Sequence, residues 1–130
     1  MQNAYGFGKT VALSYEQALE KATAELQKEG FGVLTEIDVA ATLKKKLGAD
    51  MPPYKILGAC NPPFAHRALA AEPTIGLLLP CNIVVRVDAA GATQVEFMDP
   101  AAMQKMSDSA ELAAVAAEVR ARLLRVMDAL

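Results

Sequence analysis

An α+β fold, an antiparallel sheet with helices packed on one face, is what this sequence predicts. Short segments alternate apolar and other residues, as half-buried strands do. Between them stand helical segments with recognisable caps and a single apolar stripe each. A long carboxy-terminal stripe then needs a surface to cover, and a sheet supplies it. The 130 residues make one domain, 1–130, without internal repeat, linker or low-complexity tract.

Taken in order, Phe7–Leu13 alternates and reads as a strand. Ser14 with Gln17 forms a capping box and opens a helix to Glu29, striped by Tyr15, Ala18, Leu19, Ala22 and Leu26. Gly30 stops it. Phe31–Ile37 is the second strand, with Phe31, Val33, Thr35 and Ile37 on one face. Asp38 caps a short helix, Val39–Leu47, which Gly48 ends. Tyr54–Cys60 has little polarity on either side and reads as a strand covered on both faces. Asn61 caps the helix Pro62–Ala71, with proline in the first turn.

Ile75–Leu79 is an extended or turn-like apolar segment, interrupted by Pro80. Cys81–Val87 and Thr93–Met98 form two strands joined by the hairpin loop at Asp88–Gly91. Asp99-Pro100 opens a helical turn through Met106. Asp108 with Glu111 begins the last helix, striped by Leu112, Val115, Ala116, Val119, Leu123, Val126, Met127 and Leu130.

Composition narrows the function classes. The net charge is −2 and the hydrophobic content 53%. The Lys44-Lys45-Lys46 cluster closes a predicted helix, where cations complement the dipole. No basic face interleaved with aromatics exists, so nucleic acid is not an expected partner. No apolar run approaches the roughly 20 residues of a membrane helix, and the amino terminus does not read as a signal peptide. A cytoplasmic protein with two reduced thiols is expected.

The stretch Tyr54–Arg86 holds both cysteines and the only histidine, and between Ala59 and Val85 its only formal charges are Arg67 and Glu72. Such a stretch belongs in a core or at an interface. Together with GFGVLTEIDVAATLKKKLG (Gly30–Gly48), YKILGACNPPFAHRALAAEPTIGLLLPCNIVVR resembles the family called domain of unknown function 302. The resemblance implies a TATA-box-binding-protein-like β-α-β(4)-α arrangement and a tendency to form homodimers. It implies no activity and no cofactor.

The candidate chemistry lies in two echoes, Cys60-Asn61-Pro62 and Pro80-Cys81-Asn82, each where a strand meets a turn or helix. Cys60, Cys81 and His66 are candidates for a thiol redox pair, a nucleophile with its base, or a soft-metal site. No C-x-x-C or H-x-x-x-H supports these, and two small buried thiols are the more economical reading. Asn61, Arg67, Asn82, Arg86 and Glu36 are candidate ligand-binding residues. Pro62 and Pro63 lack the N–H groups an anion site needs, and Asp38 has a capping role that leaves Glu36 alone. Two classes remain: a homodimeric small-ligand-binding or protein-interaction domain without catalysis, and a thiol-dependent redox or metal-binding protein using Cys60, Cys81 and His66.

Overall fold

A computed structural model describes residues 1–130. It contains β1 (Gly6–Val11), α1 (Tyr15–Lys28), β2 (Gly32–Asp38), α2 (Val39–Leu47), β3 (Tyr54–Cys60) and α3 (Pro62–Ala71). A 3-10 helix over Pro73–Leu78 follows, then β4 (Cys81–Val87), β5 (Thr93–Met98), α4 (Pro100–Gln104) and α5 (Ala110–Asp128). The five strands form one open sheet in the order β1-β5-β4-β3-β2, every neighbour antiparallel. The α+β class and the antiparallel sheet are as the sequence predicts.

Strand periodicity builds the core. Leu57 and Ala59 of β3, Ile83 and Val85 of β4, Val95 and Phe97 of β5, and Phe7 of β1 all face one side and are buried. Ala18, Ala22 and Leu26 of α1, with Leu112, Leu123 and Val126 of α5, close over them. Burying a side chain of Leu, Val or Phe size contributes roughly 1.5–3 kcal/mol, so this layer dominates the fold's stability. Asp99 ties its edge together: its carboxylate accepts Ala101 N–H at the start of α4 and Arg120 Nε of α5, each at 2.9 Å.

The caps of the first two helices follow the sequence. Ser14 and Gln17 exchange both capping-box bonds at 3.1 Å. Asp38 accepts Ala41 N–H at 2.8 Å, and Gly48 ends α2 at φ 66°, where a side chain would strain the backbone.

Four readings are corrected. Val33 pairs with Ala59 but Thr35 with Gly58, so Leu34 is an inserted bulge residue. The bulge flips Thr35 and Ile37 to the opposite face from Val33. β3 is covered on one side only, since Tyr54 and Ile56 stay half-buried on the bare face. Ile75–Leu79 is largely 3-10 helix, wound by the turn that starts at Pro73, with Ile75 driven into the core. The last helix is capped by Ser109 rather than Asp108, its hydroxyl accepting Leu112 N–H at 3.2 Å.

Candidate functional site

An apolar cavity of about 350 Å³ opens where the ends of β2, β3 and β4 meet α3, α4, α5 and the segment leading into Pro80. Thirteen of its sixteen lining residues are hydrophobic and none is charged, which decides what sort of ligand it can hold. Phe31, Phe64, Met103, Val115 and Val119 form much of its wall, with Leu34 and Leu69 among the lining residues that stay exposed. Gly58 lets its rim close tightly: a Cβ there would overlap Thr35 Oγ1 and lie 2.9 Å from Pro80 Cγ.

Phe64 shows how charge is kept outside this wall. Its ring lies under Arg122 at 5.1 Å and Arg67 at 5.8 Å. Arg67 Nε donates to Glu111 at 2.8 Å, and Arg122 Nε donates to Glu118 at 3.1 Å. The guanidiniums are therefore already engaged, and only the ring they flank lines the cavity.

Cys60 and Cys81 do come together as cavity-lining residues, free of any disulfide. Cys60 is half-buried. Cys81 is buried, and desolvation, with the neighbouring Cys60 second, pushes its thiol up to about 11. Near neutral pH only about one Cys81 in 10⁴ is thiolate, so it is a weak nucleophile. On iodoacetamide treatment at pH 7.5, mass spectrometry is expected to find Cys60 alkylated well before Cys81. Faster labelling of Cys81 would contradict its burial.

The same shift sets an alkaline stability limit. The folded state holds the Cys81 proton above the ordinary thiol value of 9.0, so its contribution is intact below pH 9 and is lost as pH climbs towards 11. About 3 kcal/mol disappears across that window, and Cys81→Ala should remove this part of the slope. Tyr15, raised mainly by burial, adds to the loss above pH 10, so the variant must be compared with wild type.

The other predicted residues part company. His66 is exposed on α3 and does not line the cavity, because Phe64, Ala65 and Ala68 take the inward face of that helix. No three His, Cys, Asp or Glu side chains gather anywhere, so Cys60, Cys81, His66 and Glu36 do not converge on a metal geometry. Glu36 stands 3.8 Å from Lys55. Arg86 is held bidentate by Glu96 at 2.7 and 3.1 Å, and Asn82 is exposed beside them on the bare sheet face, away from Asn61.

Asn61 is not a plain cap. Its side chain makes no bond to the first turn of α3; instead Nδ2 donates to Glu29 O at the end of α1, at 3.0 Å. Arg122 Nη1 donates to the same carbonyl at 2.9 Å, and Arg125 grips the Glu29 carboxylate at 2.8 and 3.0 Å, holding that carboxyl below its usual range. Three elements thus meet at one helix end beside the cavity. Sequence reasoning missed this clamp and the wall residues Phe31, Phe64, Met103, Val115 and Val119, although the low charge of the central stretch pointed to the region.

A family model described as "Domain of unknown function DUF302" matches residues 7–130. The crystal structure of an uncharacterised conserved protein, DUF302, from Bacillus stearothermophilus is similar, with 31% identity and a TM-score of 0.88. The match covers 95% of this chain and 96% of that one. No curated protein matches.

Proposed function

The chain belongs to the DUF302 family, domains of unknown function, and we propose that it is a cytoplasmic homodimer that binds a small apolar ligand without catalysing a reaction. The observation that carries this reading is the uncharged cavity, whose volume falls in the range of small-molecule sites and whose wall is mostly hydrophobic. The exposed position of His66 supports binding over catalysis, since the thiols have no histidine base beside them.

The direct test is calorimetric titration with naphthalene, a probe small enough for the cavity. Saturable binding is expected in the wild type. Ala65→Phe, which projects a ring into the space from half-buried α3, should weaken it more than about tenfold by occupying the volume, with the melting temperature little changed. No binding to wild type, or equal binding to both proteins, would remove the cavity reading.

The homodimer part rests on the bare sheet face. Tyr54, Ile56 and Val84 are half-buried there and Ile37 is 50% exposed, an apolar strip beside the Arg86–Glu96 pair and Asn82, which gives the mix of apolar centre and polar margin that interfaces cover. Light scattering at micromolar concentration should give twice the chain mass, and Ile56→Asp should give a monomer. A monomeric wild type would end that part.

The second reading, thiol chemistry, is favoured only by Cys60 and Cys81 lining one cavity. Alkylation of both thiols that proceeds only after unfolding would dismiss it.

A further inference from the structure

The chemistry of the ligand can be read from Asn61. This residue is 7% exposed and lines the cavity, yet only part of its amide is used. Nδ2 donates to Glu29 O, and a carbonyl can only accept, so the nitrogen end must face α1. The opposite end, Oδ1, accepts no hydrogen bond from the chain. No fully buried side-chain polar atom lacks a partner, so Oδ1 keeps access to open space, and Asn61 is itself a lining residue of the cavity.

The orientation is fixed, not incidental. Glu29 O also accepts Arg122 Nη1 at 2.9 Å, so the carbonyl has little freedom to release the amide. Gly30 lies so close that a Cβ there would come within 3.1 Å of Asn61 Nδ2. Asn61 is therefore a preset acceptor in a wall that otherwise offers only Thr35 and two thiols as polar groups.

We propose that the ligand is a neutral, mainly apolar molecule bearing one hydrogen-bond donor, a phenol, alcohol or ring N–H, which Asn61 Oδ1 accepts. The inference rests on the small-ligand reading above. A ligand without a donor would displace water from Oδ1 and leave a buried acceptor unpaired. An anion fits worse still. No cationic side chain lines the cavity, and the carbonyl oxygen of Asn61 would face its charge.

Matched probes test this on the full chain near neutral pH: 1-naphthol, 1-methoxynaphthalene and 1-naphthoate, followed by calorimetry. The phenol should bind about threefold to tenfold more tightly than its methyl ether, the gain of one hydrogen bond, and the carboxylate should bind more weakly than either. Asn61→Ala should bring the ratio of phenol to ether close to one. That variant also loses the link to Glu29, so the wild-type ratio alone is decisive should it fail to fold. Equal affinity for phenol and ether, tight binding of 1-naphthoate, or a ratio unchanged in folded Asn61→Ala would overturn the donor assignment while the small-ligand reading stands. Absence of binding by both phenol and ether would instead overturn the small-ligand reading itself.

Discussion

Phe97→Ala is expected to lower the stability of the protein by about 3–5 kcal/mol, measured by chemical denaturation. Phe97 lies at the centre of the covered face, 2% exposed, with Ile83 of β4 as its partner on one side and Phe7 of β1 on the other. Its ring stacks on Phe7 at 5.7 Å between centroids and 22° between planes. Phe7 is in turn covered by the Arg120 guanidinium at 5.6 Å. Truncation removes the transfer energy of the ring, opens a cavity between two rigid strands and strips Phe7 of its aromatic neighbour. A loss under about 1 kcal/mol would mean that this layer repacks freely, contrary to the close packing of the core.

Gly58→Val is the second large effect, and it strikes fold and site together. Gly58 pairs with Thr35 across the bulged edge and with Asn82 across the centre of the sheet. A Cβ at this position meets Thr35 Oγ1 and Pro80 Cγ on the side they share. Thr35 can turn about one bond, but the proline ring cannot fold away, so the segment entering β4 must shift. Overpacking of this sort costs about 1–3 kcal/mol. Thr35 and Pro80 also line the cavity, so naphthalene affinity should fall in parallel with stability. A variant as stable as wild type with unchanged binding would show that the contact is slack.

The sequence was most legible where structure is local. The capping box at Ser14 and Gln17, the Asp38 cap and the hairpin at Asp88–Gly91 depend on residues a few positions apart, and the structure keeps them. The bulge at Leu34 was not legible, because alternation assumes one residue per pleat and cannot register an inserted one. The role of Asn61 was hidden for a different reason. Its partner, Glu29 O, is 32 residues away, and an asparagine before two prolines looks like a cap whichever way its amide turns. The outward position of His66 is legible in the sequence. Phe64, Ala65 and Ala68 stand at helical spacing and claim the inner face of α3, which turns His66 and Arg67 outward. The positions of Cys60 and Cys81 at strand ends are legible in the sequence, but their closeness depends on strand pairing: antiparallel β3 and β4 bring the end of one beside the start of the other.

Titration of isotopically labelled protein with naphthalene, followed residue by residue by NMR, tests the binding account most directly. The account predicts saturable shifts confined to Phe31, Leu34, Thr35, the Ala59–Leu69 segment, Leu79–Cys81, Met103 and the cavity side of α5, with Tyr54, Val84 and Glu96 on the bare sheet face unmoved. Shifts centred on that bare face, or none that saturate, would contradict it.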